Sequence, residues 1–306
     1  MPAHPFPEPI ELVYKEVDGL SIAMDIYVPE NATKEAPAPI LLWWHGRQSS
    51  TAITPHMLRA PAKHNLCVVS VDYRLAPQTR IPGVLADCKS ALEFFETREF
   101  AKVTGDRVDA SRIIVSGSSA GGWLALLAGT GIGYEASGLE PPKGIKGVIA
   151  IYPITDLLDE FWTTKQRPVS YIGRIIEHSE MTTFADPNSE KTSWAERTGK
   201  RSFFYPYMLQ EAILQKLLLE GTGIEPVKYS IAQNIRTGNF KTPPTYIITG
   251  NSDRRVRHQQ SLDVVEAYKS IHASVEYHEL EGLDHNFDNE EEVEMESMYE
   301  FIKSVL

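Results

Sequence analysis

The chain has little cysteine, no long hydrophobic run and fewer basic than acidic residues. Only two of its 306 residues are cysteines, Cys67 and Cys88, so we expect no disulfide framework and a reducing, cytoplasmic setting. No apolar run approaches the roughly 20 residues that span a bilayer, and the proline-rich residues 1–9 lack the basic and apolar segments of a secretory signal. A formal net charge of -11 disfavours nucleic acid and anionic membrane surfaces as partners.

The rest of the composition is that of an ordinary globular protein. Hydrophobic residues make up 42% of the chain, enough for one large α/β domain or two smaller ones with a sizeable core.

The most informative stretch is residues 112–128, where a buried-strand pattern is followed by a sharp turn and a helix of small residues. Within it, GSSAG at 117–121 fits G-x-S-x-G, in which glycines allow a strained turn to present the hydroxyl of Ser119. The following helix would point backbone N–H groups at charge that develops beside that hydroxyl. A flexible Ser/Gly loop is the alternative, but the strand before and the helix after favour a nucleophile.

Strands and helices alternate along most of the chain. A continuous apolar run, typical of a strand covered on both faces, occurs at residues 40–44, and further strands are predicted at 67–71, 112–116, 148–152 and 244–249. Helical patterns lie at 55–64, 83–100, 120–128, 259–271 and 290–305. With an edge hairpin at 10–17 and 20–28 and a last strand at 274–280, we predict a mainly parallel, eight-stranded twisted sheet flanked by helices.

The alternation stops between residues 155 and 241, a segment called the insert below. It has no strong strand pattern, and helices are predicted at about 170–178 and 205–220. A segment of this length needs structure of its own, so we expect a helical cap inserted after the sixth strand, between catalytic-core parts 1–154 and 242–306. Helices that pack on the sheet without a role at a site are the alternative.

Ser119 needs a base to remove its proton and an acid to orient that base. His285 is the predicted base and Asp253 the predicted acid, because both follow strands and give the order serine, acid, histidine. Asp284 adjoins His285 and is poorly placed to reach its Nδ1 atom. The other candidates for the acid are Asp156 and Asp263.

Donors for an oxyanion are expected on two sides of the site. One is the backbone N–H of Ala120, the residue after the serine. The others are predicted in the loop after Trp44, at Gly46, Arg47 and Gln48, where the sequence begins like the HGGG-type motif of esterases.

Three motifs together resemble the hormone-sensitive-lipase-like branch of the α/β-hydrolase superfamily, from about residue 12 to the end. They are HG at 45–46, DYRLAP at 72–77 and GSSAGG at 117–122, accompanied by the predicted acid and base. The resemblance implies a carboxylic ester hydrolase of α/β-hydrolase fold, without a cofactor or metal, with a cap over the pocket and with Ser119, Asp253 and His285 as catalytic triad. It also implies that Asp72 and Arg74 brace a loop near the site.

The chain departs from this family in the oxyanion loop, where Arg47 and Gln48 replace two glycines. Side chains there restrict the backbone and narrow the acyl pocket. Arg47 either contacts a carboxylate or polar oxygen of the substrate, since guanidinium is a planar donor fork, or points to solvent.

Further candidates for substrate contact are Ser118, beside the predicted nucleophile, and the aromatic pair Phe161 and Trp162 of the insert. Aromatic residues at helical spacing more often form the interior of a cap than a pocket wall.

We therefore predict hydrolysis of a carboxylic ester with a small to medium apolar or aromatic group, through an acyl-enzyme intermediate. The same triad could transfer the acyl group, open a lactone or cleave a carbon–carbon bond, since the pocket selects the acceptor. A binding protein on a hydrolase scaffold is a third alternative, although it predicts loss of a triad member. The expected partner is a small-molecule ester or acyl compound, with a homodimer as one possible assembly.

Overall fold

The computed structural model describes residues 8–45, 53–194 and 199–306 of the chain. In these residues, eight strands form one sheet in the order β1-β2-β4-β3-β5-β6-β7-β8. The strands are β1 (Ile10–Val17), β2 (Leu20–Tyr27), β3 (Ala38–Trp44), β4 (Cys67–Val71), β5 (Val108–Ser118), β6 (Ile145–Ile151), β7 (Thr245–Gly250) and β8 (Val275–Leu280). Only the β1–β2 and β2–β4 pairs are antiparallel among the described pairs, so the predicted fold class is confirmed.

The edge hairpin turns at Asp18 and Gly19, whose φ angles are +55° and +77°. Two consecutive positive φ angles give a turn whose twist matches that of the flanking strands, which is why the Asp-Gly pair predicted this hairpin.

Helices cover both faces of the sheet. They are α1 (Pro55–His64), α2 (Ile81–Phe94), α3 (Arg98–Val103), α4 (Ala120–Thr130), α5 (Glu160–Thr163), α6 (His178–Ala185), α7 (Phe204–Glu211), α8 (Leu214–Leu219), α9 (Ile231–Ile235), α10 (Gln259–Ser270) and α11 (Glu296–Val305). Alternate residues of β3 serve the two faces: Ile40 and Leu42 pack in the core beneath α2, α4 and α10, while Leu41 and Trp43 pack beneath α1 and α11.

Two predicted helices of the core differ from those observed. The pattern at 83–100 forms two helices, since α2 ends at Phe94 and Thr97 begins α3 by accepting a hydrogen bond from Phe100 N. The last helix begins at Glu296, six residues later than expected.

The insert contains α5 to α9, with no strand in the part that the structure describes. The helix predicted at 170–178 is absent, because Gly173 has a φ of +70° and a capping box of Glu177 and Glu180 begins α6 at His178. The helix predicted at 205–220 is divided by Ala212, which adopts a left-handed conformation and ends α7.

Candidate active site

Ser119 occupies a strained turn between β5 and α4. Its φ and ψ angles are +55° and -118°, a conformation rare for a residue with a side chain. The backbone is held there by three hydrogen bonds: Ser119 N donates to Ile151 O at 2.8 Å, and Ser119 O accepts from Trp123 N at 3.2 Å and Ile154 N at 3.3 Å. The turn therefore fixes Ser119 beyond the carboxyl end of its strand.

The glycines around Ser119 allow close contact between backbones. A Cβ atom on Gly121 would lie 1.9 Å from Trp44 O, and one on Gly117 would lie 2.3 Å from the carbonyl carbon of Gly121. The first turn of α4 therefore packs directly against the ends of β3 and β5, where no side chain fits.

His285 and Asp253 are brought together, as their positions after β8 and β7 suggested. His285 Nδ1 lies 2.7 Å from Asp253 Oδ2, and both side chains are almost completely buried. The other carboxylate oxygen of Asp253 accepts hydrogen bonds from Arg255 N and Val256 N, at 2.8 and 2.9 Å. Asp253 is thereby held in place against the Nδ1 side of the His285 ring.

The competing carboxylates bond elsewhere. Asp284 accepts from the backbone N–H of His285 and from the side chain of Arg254, and does not reach the imidazole. Asp156 accepts hydrogen bonds from the side chains of Ser230 and Gln233. Asp263 accepts one from the side chain of Gln259 in α10.

Beneath His285 lies a buried pair that the sequence did not suggest. The ring of Tyr152, which follows β6, packs on the imidazole, and its hydroxyl donates a hydrogen bond to Asp288 Oδ1. Asp288 is completely buried and its Oδ2 atom has no partner in the described residues, and burial raises the pKa of this carboxyl to about 6. Ser118, a predicted substrate contact, is the last residue of β5 and is not among the residues that line the cavity containing Ser119.

The start of the loop after β3 is braced by the DYRLAP segment. The buried His45 ring stacks on Tyr73, whose hydroxyl donates to His45 O at 2.7 Å, and His45 Nε2 lies 3.4 Å from Asp72 Oδ1. Arg74 donates through Nε and Nη2 to both carboxylate oxygens of Asp87, each at 2.8 Å. These contacts agree with the bracing role that the resemblance implied for Asp72 and Arg74.

Of the predicted oxyanion-hole donors, Ala120 lies within the described residues. Ala120 begins α4, where a backbone N–H has no acceptor within the helix, and it lines the same cavity as Ser119. The other predicted donors, Gly46, Arg47 and Gln48, lie outside the described residues.

A cavity of about 170 Å³ opens beside Ser119. Its walls are mainly apolar and include Trp123 of α4 and Met208 and Leu217 of the insert. A protein cavity of about 150 Å³ holds one benzene molecule, so this space suits an aromatic ring or a short acyl chain.

The aromatic pair predicted for substrate contact does not line this cavity. Trp162 is 1% exposed and packs edge to face with Phe161, their ring centroids 4.8 Å apart. The pair contributes to the interior of the insert. Cavity residues such as Met208 were missed because nothing in their local pattern shows which face of a short helix meets the sheet.

The described residues hold no group of three or more His, Cys, Asp or Glu side chains that could bind a metal ion. In those same residues, none of the helices has the length and apolar character needed to cross a membrane.

Comparisons with known proteins place the chain among similar sequences. The BD-FAE family model matches residues 24–268. The non-reducing polyketide synthase ascC of Acremonium egyptiacum is 30% identical over 90% of this chain, which spans only 14% of that enzyme. Esterase LipC of Mycobacterium tuberculosis is 28% identical over 82% of this chain and 54% of its own.

Solved structures of an esterase from Thermogutta terrifontis have the same fold. The native enzyme gives a TM-score of 0.60 at 21% identity, covering 97% of this chain and 90% of that one. The form phosphonylated by sarin gives a TM-score of 0.61 at 19% identity, and the match covers 99% of this chain and 96% of that one. This likeness confirms the predicted α/β-hydrolase fold.

Proposed function

Because the chain belongs to the BD-FAE family and has the α/β-hydrolase fold, we propose that it is a carboxylic ester hydrolase with Ser119 as nucleophile. The observation that carries the proposal is the buried 2.7 Å contact between His285 Nδ1 and Asp253 Oδ2. The strained turn of Ser119 is hydrogen-bonded to Ile151, whose neighbour Tyr152 packs on the His285 ring. Esterase LipC supports the reaction class.

In the proposed reaction, Ser119 Oγ attacks the ester carbonyl carbon while His285 Nε2 accepts the hydroxyl proton. Asp253 fixes the imidazole tautomer and stabilises the imidazolium. The oxyanion accepts a hydrogen bond from Ala120 N–H, with further donors proposed at residues 46–48. His285 then gives its proton to the leaving alcohol. Water, activated by the same imidazole, hydrolyses the acyl-enzyme and releases the acid.

We propose that the insert is a cap that closes the acyl site. Met208 of α7 and Leu214 and Leu217 of α8 form one wall of the cavity that contains Ser119. An apolar wall excludes bulk water, strengthens the electrostatic contacts in the site and selects small or medium apolar acyl groups.

Acyl transfer by the same triad is a second candidate function. It is favoured by the match of 90% of this chain to a segment of a polyketide synthase. The chemistry up to the acyl-enzyme is identical, and the acceptor is then an alcohol or amine in place of water.

Labelling with a fluorophosphonate probe, followed by rates on p-nitrophenyl esters of increasing chain length, tests the proposal. We expect wild type to be labelled and to hydrolyse short esters, and Ser119→Ala to lose both properties. Ser111→Ala, at an exposed position near the start of β5, is the matched control and should keep both. Absence of labelling would refute the serine mechanism. Labelling with turnover only after addition of an alcohol or amine would establish acyl transfer.

A further inference from the structure

Two guanidinium groups line the mainly apolar cavity, and one of them has no acidic partner among the described residues. Arg201, in the short 3-10 helix Lys200–Phe203 of the insert, lines the cavity together with Ser119. Its Nη2 atom donates a hydrogen bond to Ala76 O at 2.9 Å. Within the described chain, no carboxylate forms an ion pair with it, and burial alone lowers its pKa.

A second arginine of the same cavity shows the contrast. Arg74 also lines the wall, but its guanidinium donates to Asp87 and to Asp18, so its charge is balanced by carboxylates. Arg74 is therefore part of the structural brace, whereas no carboxylate in the described part of the chain balances the charge of Arg201.

Two aromatic rings hold the Arg201 side chain. The guanidinium carbon lies 5.8 Å from the ring centroid of Phe184 and 5.9 Å from that of Phe204. Such contacts use the flat face of a guanidinium. Its N–H groups point outward in the plane, where they match the two oxygens of a carboxylate.

A partly buried cation without a counter-ion is unfavourable, and an anionic ligand relieves that cost. Guanidinium stays protonated in proteins even when burial lowers its pKa. The cavity thus joins a reactive serine, an apolar wall and a fixed positive charge.

We propose that this enzyme prefers esters whose acyl chain ends in a carboxylate, and that Arg201 binds that carboxylate. The inference rests on the proposed ester hydrolysis and names the substrate class for the same site. The ester carbonyl would lie at Ser119, the methylene chain along Met208 and Leu217, and the terminal carboxylate at Arg201.

Kinetics on matched esters test this preference. Monomethyl esters of butanedioic, pentanedioic and hexanedioic acids are compared with methyl butanoate, pentanoate and hexanoate, with the released acid measured by titration. For the best monoester, Arg201→Met should lower kcat/KM about 10- to 100-fold, the range for a lost hydrogen bond to a charged group. The neutral esters should change less than about threefold, and Arg201→Lys should restore part of the loss.

Two results would overturn the assignment. One is an equal loss on charged and neutral esters in a variant that remains folded by circular dichroism. The other is a preference for charged esters that survives Arg201→Met and disappears in Arg47→Gly, which would assign carboxylate recognition to Arg47. If Arg201→Met does not fold, Arg201→Lys decides, because it should lower kcat/KM on the monoesters while the neutral esters change less than about threefold.

Binding measurements test the role of Arg201 independently of the proposed ester hydrolysis. Calorimetric titration of Ser119→Ala with monomethyl hexanedioate and with methyl hexanoate requires no turnover. Tighter binding of the charged ester, lost on adding Arg201→Met, would support the inference even if no ester were hydrolysed. Equal affinities would refute it even if wild type proved to be an active esterase.

Discussion

The ring of Tyr152 packs against the imidazole of His285, with centroids 4.2 Å apart and planes inclined by 49°. Since His285 is the proposed base, its orientation depends on two neighbours: Asp253 at the ring edge and Tyr152 at the ring face. Tyr152 is in turn held by its hydrogen bond to the buried Asp288.

Replacing Tyr152 by phenylalanine should keep this ring contact and remove the hydrogen bond to Asp288. A buried polar group left without a partner costs about 1–3 kcal/mol. We therefore expect the free energy of unfolding, measured in urea, to fall by about that amount. Tyr134→Phe is the control, because the Tyr134 hydroxyl is buried without a partner in the described residues and its removal should be neutral or stabilising. Equal destabilisation by both variants would contradict the proposed importance of the Tyr152–Asp288 bond.

Asp288 should make stability depend on pH. Its pKa is raised to about 6 in the folded chain from 3.8, so the folded state binds the proton more tightly than the unfolded state. The resulting stabilisation is complete below pH 3.8 and is lost as the pH rises through 6, a change of about 3 kcal/mol. Wild type should therefore lose stability relative to Asp288→Asn over that window, measured by urea unfolding at several pH values.

The matched control for this pH experiment is Glu266→Gln, at an exposed carboxylate on α10. Its stability difference from wild type should be nearly constant across the same range. A flat difference for Asp288→Asn as well would show that the carboxyl at 288 titrates normally.

Asp253→Asn should lower kcat by about 10³- to 10⁴-fold while the fold is kept, because an amide supports the wrong imidazole tautomer. Asp284→Asn, one position before the proposed base, should change kcat less than about threefold, since it loses mainly a half-exposed contact with Arg254. Hydrolysis rates on p-nitrophenyl butyrate give kcat for both variants, and thermal unfolding shows whether each keeps its fold. A larger effect at Asp284 would reverse the assignment of the acid.

Gly121→Ala should prevent normal folding, because the added Cβ would meet the backbone oxygen of Trp44 at 1.9 Å. We expect a loss of at least about 4 kcal/mol, the range of severe core disruption. Gly138→Ala is the control: it has open space around it, and its φ of +71° should cost only about 1–2 kcal/mol. Soluble expression and urea unfolding distinguish the two, and equal losses would show that backbone strain, not contact with β3, determines the effect.

The positions of Ser119, Asp253 and His285 could be predicted from the sequence, because each residue comes just after a strand. Apolar runs locate the strands, and parallel strands present their carboxyl ends at one edge, which brought Asp253 close to His285. The hairpin at Asp18 and Gly19 was predictable for an equally local reason.

The residues that line the cavity could not be predicted from the positions of strand ends. Arg201 reaches it only because short helices of the insert pack over α4, and that packing depends on contacts distant in sequence. The break at Ala212 gave no local signal either, since alanine is a good helix former. Asp288 lies in a polar segment that reads as an exposed loop, and only the folded chain buries it beside Tyr152.

The pairing of β6 with β7 has a consequence for how such a chain can diversify. The insert leaves the sheet after Ile151 and returns at Thr245, on an adjacent strand in parallel register. Its two ends are held by the core at opposite edges of the sheet, so the chain between them must cross from one edge to the other. Segments of different length and composition that keep this crossing could therefore be exchanged there, by evolution or in the laboratory, while the strands and the residues at their ends stay in place.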